Sequence, residues 1–248
     1  MTEETVTTAS AKNELRFATI EDGWQPPAPS TATRHISHRS RGSGRAILLA
    51  TTSGDGGRER EIRTEGLLEL KILYLILADS RVENVWEQAG PVQYKDAEGK
   101  THRHFFDFLV LLKDGRRIAI AVRPFERSQS LKETLKLIGA QMGHFADGYL
   151  LLTNQHVARD ALHNVIRIHA ARRGPRLGHD QKIRDIAATI NGRIKISDLV
   201  KVSGLEGDGF RAIARLIGAG ELQLCERGRI TSAAYVTNPK GMDVRPCE

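Results

Sequence analysis

His104-Phe-Phe-Asp-Phe-Leu-Val-Leu-Leu112, Lys113-Asp114-Gly115-Arg116 and Arg117-Ile-Ala-Ile-Ala-Val-Arg123 form the stretch that decides the fold. Two apolar runs rich in aromatic and β-branched residues flank a short Asp-Gly connection, which is the pattern of a β-hairpin. Loop length sets the register. A three-residue loop Lys113-Asp114-Gly115, with Gly115 in the left-handed position, pairs Leu112 with Arg116 and sets Asp107 opposite Ala121. A two-residue loop at Asp114-Gly115 would set Asp107 opposite Val122 and reverse the faces. The odd loop is preferred, and it gathers Asp107, Ala121 and Arg123 on one face beside the preceding helix.

That helix is Gly66 to Ala78, with Leu68, Ile72, Leu75 and Ile76 at the spacing of a buried stripe. After the hairpin, Ser128 to His144 reads as a helix with Ser128 or Ser130 as N-cap and Leu131, Leu135, Ile138 and Met142 inward. Tyr149-Leu-Leu-Leu-Thr153 reads as a short buried strand, and a further helix runs from about Gln155 to Ala171. Helix, hairpin, helix, strand, helix predicts an α/β (α+β) fold, a mixed sheet flanked by helices.

Composition shifts mark the boundaries. Residues 1–45 are rich in Thr, Ser, Pro and Arg without apolar periodicity and read as a mobile basic arm. Residues 46–171 form the α/β domain, and 172–180, where Gly and Pro interrupt a basic run, a linker. Residues 181–238 follow the order of a winged helix, and 239–248 are a tail. Within that module Ile183, Ile186, Ala187 and Ile190 give a first helix, Ile196 to Val202, capped by Ser197, a second, and Gly209 to Ile217 a third. Leu222 to Thr231, around Gly228, gives the wing hairpin.

The chain has 248 residues and a formal net charge of +7, from 37 Lys and Arg against 30 Asp and Glu. Ala28 to Arg45 holds Arg34, Arg39, Arg41 and Arg45 and no acid, and Arg159 to Arg184 holds seven bases, Arg172, Arg173 and Arg176 among them, against two acids. Such basic stretches suit a polyanion, because each phosphate contact releases counterions. In the third helix and wing, Arg211, Arg215, Arg227 and Arg229 are further candidates for phosphate contacts, although Glu206 and Asp208 argue against base reading by that helix. The longest apolar runs fall short of the roughly 20 residues of a membrane span. Two cysteines, Cys225 and Cys247, make neither a disulfide framework nor a structural zinc site. A soluble, cytoplasmic protein with no membrane partner is expected.

Gly66-Leu-Leu-Glu-Leu70, Val85-Trp-Glu-Gln88, Phe106-Asp-Phe-Leu-Val110, Asp114-Gly115 and Ala121-Val-Arg-Pro124 together resemble the N-terminal domain of TnsA-type transposon endonucleases, members of the restriction-endonuclease-like PD-(D/E)xK nucleases. The resemblance spans about Glu65 to Thr153, and the region after Gln181 is similar to the family's winged-helix domain. It implies that Glu69 and Asp107 hold Mg²⁺ against the scissile phosphate, with Gln88 in support and Ala121 and Arg123 in the two remaining catalytic positions. Those two depart from the pattern. Alanine offers a hard cation no side-chain oxygen, and arginine can neutralise phosphate but not readily exchange a proton.

Each residue also has a plainer reading. Asp107, inside an apolar run, would need a partner, and an ion pair with Arg123 is one; Glu69 has Glu65 one turn away as a competitor. His102 and His104 at i, i+2 lack a third metal ligand and read as a strand end. The expected function is therefore DNA binding on a TnsA-like nuclease scaffold with a degraded active site, within a protein–DNA assembly of transposition, integration or mobile-element regulation. Double-stranded DNA and a transposition or regulatory protein are the expected partners. An active Mg²⁺-dependent endonuclease and a protein-interaction scaffold are the alternatives.

Overall fold

A computed structural model describes residues 25–37, 44–173 and 178–239. Strands β1 (Ala46–Ala50) and β2 (Arg60–Thr64) pair antiparallel and lead into helix α1 (Leu67–Ala78). Strands β3 (Val82–Lys95), β4 (Thr101–Leu112) and β5 (Arg117–Val122) follow antiparallel, and β6 (Gly148–Leu152) joins β5 in parallel. The result is a mixed four-stranded sheet of order β3-β4-β5-β6. A parallel neighbour needs a crossover, and helix α2 (Gln129–Gln141) provides it between β5 and β6.

Helices cover both faces. On one, Ile72, Leu73 and Ile76 of α1 close over Leu48, Ile62, Phe108, Val110, Ile120 and Val122. On the other, Leu135 and Ile138 of α2 pack with Val92, Phe106, Ala119 and Ala121. The mixed α/β sheet expected from the sequence is present, with β1, β2 and most of β3 as additions. Strand β2 reads Arg-Glu-Ile-Arg-Thr, too charged to register as apolar alternation, yet Arg60, Ile62 and Thr64 are its buried positions.

The hairpin takes the odd loop. Leu112 donates to the Arg116 carbonyl at 2.9 Å, Gly115 has φ +86°, and Phe108 pairs with Ile120. The expected shared face is corrected, however. The ladder between β4 and β5 runs from Leu111↔Arg117 to Phe108↔Ile120, and beyond it strict alternation no longer applies. Ala121 is buried in the cluster under α2, whereas Asp107 turns its carboxylate to Val122 and Arg123.

Helix α3 (Arg159–Arg172) belongs to two surroundings: it packs on α1, where His169 meets Tyr74 edge-on at 5.3 Å, and its Ile168 enters a third cluster built from the C-terminal elements. Those elements are α4 (His179–Ala188), β7 (Arg193–Lys195), α5 (Ile196–Ser203), α6 (Glu206–Gly218), β8 (Gln223–Leu224) and β9 (Tyr235–Thr237), with β9 central in a small antiparallel sheet. Gly218 permits the close approach of α6 to α3, since a Cβ there would stand 2.4 Å from Ile168 Cγ2.

The hairpin expected over Leu222 to Thr231 is not formed. Strand β8 pairs instead with Tyr235–Thr237, because Asn164 of α3 accepts from Ile230 N at 2.7 Å and donates to the Gly228 carbonyl at 2.8 Å, docking that stretch on α3 while Ile230 is fully buried. The second helix begins from Lys195 at the N-cap position rather than Ser197. Among the described residues no helix is long and apolar enough to cross a membrane.

Candidate functional site

Four segments converge where α1 begins and β4 and β5 separate. The β2–α1 junction brings Glu65 and Glu69, β4 brings Asp107, the residue after β5 brings Arg123, and β3 brings Gln88. A fifth contributor is the segment 25–37, which lies within the expected arm but is fastened to the sheet. Ala28 bridges to Arg60, and Ile36 is buried. Ser30 Oγ and Thr31, through its N–H at 3.1 Å and its hydroxyl at 3.0 Å, donate to the fully buried Glu87 carboxylate, which Arg60 also meets at 3.1 Å.

That latch delivers Arg34 to the site. Its Nε donates to Gln88 Oε1 at 2.8 Å, its other end pairs with Glu65, and its guanidinium lies 5.6 Å from the Phe105 ring centroid. Arg45 pairs with the same Glu65 at 2.9 Å. Gln88 is a non-glycine residue at φ +48°, held there as Thr33 Oγ1 donates to its carbonyl at 2.6 Å. Such strained backbone concentrates at sites where surrounding structure over-determines it. Gln88 Nε2 is buried and faces Asp107, whose carboxyl the Gln88 side chain pulls down.

The electrostatics are dominated by burial. Asp107 is 5% exposed, and loss of water pushes its carboxyl up, against the pull of Arg123 and of the Val122 N–H, which donates to Oδ2 at 2.6 Å. Arg123 Nη1 reaches the same oxygen at 3.3 Å. The Glu69 carboxyl is pushed up to about 7, first by burial and then by the charge of Asp107, and its Oε2 accepts the Glu65 N–H at 2.8 Å. The charge of Asp107 thus raises Glu69, while Arg123 pulls both carboxyls down and Arg34 adds to that pull on Asp107, so the two carboxyls titrate as a linked pair. His104, behind Arg123, is lowered to about 4 by burial and by that positive charge.

The donor set fits Mg²⁺ poorly. A hard cation needs several oxygens in near-octahedral array at about 2.1 Å. Asp107 commits Oδ2 to an N–H and a guanidinium, Glu69 commits one oxygen to the Glu65 N–H just before the helix, and Ala121 offers none. Arg123 stands as the cation beside Asp107. Among the described residues no group of three or more His, Cys, Asp and Glu is arranged to hold a metal ion.

Glu69, Asp107, Arg123 and Gln88 are thus brought together, with Arg34 and Arg45 added to them. Sequence reasoning placed those two arginines on an arm and left Glu87 unread, since nothing local marks a latch formed across more than fifty positions. The remaining basic residues scatter. Arg215 is corrected from a phosphate contact to a structural residue: it is 6% exposed, chelates Asp180 at 2.6 and 2.9 Å, and donates to the Ala171 carbonyl at 2.9 Å. Arg229 pairs with Asp160 at 2.7 Å, Arg211 with Asp208 at 3.3 Å and Arg173 with Glu59 at 3.0 Å, all at the surface. Arg172 donates to the Gly218 carbonyl, and Arg227 is exposed. Arg39, Arg41 and Arg176 lie outside the described residues. No protein-family model matches the chain, and no curated protein matches its sequence.

Proposed function

We propose that this chain is a DNA-binding protein built on a restriction-endonuclease-like scaffold of the TnsA type, with residues 46–171 as that domain, 172–180 as a linker and 181–238 as a winged helix. The observation that carries the reading is the pairing of Arg123 with Asp107 beside an alanine: a guanidinium stands where metal-dependent cleavage would call for a cation and a further oxygen ligand. A site of this kind grips phosphate by charge and lacks the preorganised groups whose individual removal commonly costs about 10²–10³ in rate. Arg34, Arg45 and Arg123 supply the grip, and the basic residues of the arm and of 172–176 add sequence-independent affinity. The setting proposed is a DNA-associated assembly in the cytoplasm, for transposition, integration or mobile-element regulation, with a protein partner alongside DNA.

A second reading, an active Mg²⁺-dependent endonuclease, is favoured by one observation: the charge of Asp107 raises the proton affinity of Glu69, a repulsion that a divalent cation would relieve. Supercoiled plasmid incubated with Mg²⁺ or Mn²⁺ separates the two, with gel-shift binding scored in the same samples for the native chain and Asp107→Ala. Binding without nicking is expected. Nicking lost in Asp107→Ala with binding intact would establish the nuclease, and neither activity would leave a protein-interaction scaffold.

A further inference from the structure

Toward the other end of α1 from Glu69, where Leu77 lies, a pocket of about 520 Å³ opens between the end of β1, the start of β2 and the last turn of α3. Thr51, Gly57 and Glu59 line one wall, and His169, Arg172 and Arg173 the other. Arg172 gives Nη2 to the Gly218 carbonyl at 3.2 Å, and Glu59 holds Arg173 Nε at 3.0 Å, at the surface, where such a pair contributes little, so each guanidinium keeps further N–H groups for a ligand. The third basic group is unusual. His169 has its Nε2 buried without a hydrogen-bond partner, while its ring rests edge-on against Tyr74. Helix ends do gather basic residues to offset the dipole, but that role asks for neither a concave pocket nor an orphaned imidazole nitrogen beside it.

We propose that this pocket is a binding site for a phosphoryl group, held by Arg172 and Arg173 with His169 as an additional, protonatable donor. Burial and the two neighbouring arginines hold the His169 imidazole below its ordinary value, which favours its neutral form. Tyr74 and Glu59 are the other groups facing it, with the Leu49 carbonyl as its backbone partner. A phosphate beside Arg172 and Arg173 would offset the positive charge that holds the ring's proton affinity down, so binding and protonation of His169 reinforce each other. The phosphoryl group has two possible sources, the backbone of duplex DNA or a free phosphate; only the duplex arm of the test rests on the DNA-binding function proposed above.

The test follows the His169 side-chain resonances, assigned against His169→Gln, in the full chain titrated with inorganic phosphate and with pyrophosphate at low salt. Saturable shifts with an upward move of the His169 titration midpoint are expected. The double variant Arg172→Gln, Arg173→Gln should weaken binding by about tenfold or more, the loss typical of charge-assisted contacts, and Glu59→Gln should tighten it by freeing Arg173. Shifts that never saturate, or that survive in the double variant, overturn the proposal, as does a Glu59→Gln variant that binds more weakly while thermally as stable as the native chain. In the duplex arm, a fall of about one to two in the slope of log affinity against log salt for the double variant assigns the pocket to the DNA backbone. An unchanged slope with lost phosphate binding assigns it to a free phosphate. A chain that does not bind duplex at all sinks the DNA-binding function, while the phosphate titration still decides the pocket.

Discussion

Arg123 Nη1 stands 3.3 Å from Asp107 Oδ2, the guanidinium 42% exposed and the carboxylate side chain 6% exposed. The pair is asymmetric, so its two halves should respond differently to removal. Asp107→Ala loses an acceptor for the buried Val122 N–H as well as the charge, and should destabilise the fold by about 2–4 kcal/mol. Arg123→Ala leaves a buried carboxylate whose best remedy is protonation. Its cost should therefore be larger at pH 7.5 than at pH 5, in urea unfolding at the two values, and equal costs would show that the pair contributes nothing through charge.

Glu69 carries a pH dependence of unusual sign. Its folded pKa, about 7, lies above its ordinary value of 4.5, so the native state holds the proton more tightly than the unfolded chain. Its contribution is fully present below about pH 4.5 and is lost as pH rises through 7, by about 3 kcal/mol at most on the usual linkage. Unfolding free energies measured between pH 5 and 8 should decline across that window in the native chain and flatten in Glu69→Gln.

Glu87 is wholly buried and serves Ser30, Thr31 and Arg60 at once. Replacing it with alanine leaves the buried Arg60 guanidinium only Asp55 as a carboxylate partner, at an expected cost of about 3 kcal/mol. The same change removes the fastening of residues 30–34. Proteolysis at Arg34, followed by mass spectrometry under native conditions, should then run much faster in Glu87→Ala than in the native chain.

Arg215 offers a control on the nucleic-acid reading. With its donors spent on Asp180 and Ala171, Arg215→Met should lower stability through the unpaired Asp180 by about 3–5 kcal/mol. It should leave the salt slope of DNA affinity unchanged at a temperature where the variant is folded. Arg227→Gln, altering an exposed side chain, should do the reverse, changing the slope by about one and the melting temperature little.

How far the sequence alone reached depends on whether the deciding interactions were local. The Asp114-Gly115 turn could be read because Gly115 needs only its own backbone freedom to set the loop, and the loop sets the register of Phe108 on Ile120. Helices α1 and α2 were legible for a similar reason, since periodic apolar positions such as Ile72 and Ile76 or Leu135 and Ile138 follow from helix geometry within a few residues. The meeting of Glu69, Asp107 and Arg123 was anticipated, together with the ion pair that links the last two.

Tertiary structure decided what no local pattern encodes. Arg34 belongs to the site because Glu87, more than fifty residues away, captures Ser30 and Thr31. Arg215 leaves the list of surface cations because α6 docks against α3 and α4, where Asp180 waits for it. Leu222 to Thr231 forgoes its own hairpin because Asn164 offers Gly228 and Ile230 better partners. In each case the sequence supplied a group with hydrogen bonds or charge to satisfy, and only the burial imposed by the assembled fold determined which distant partner would satisfy it.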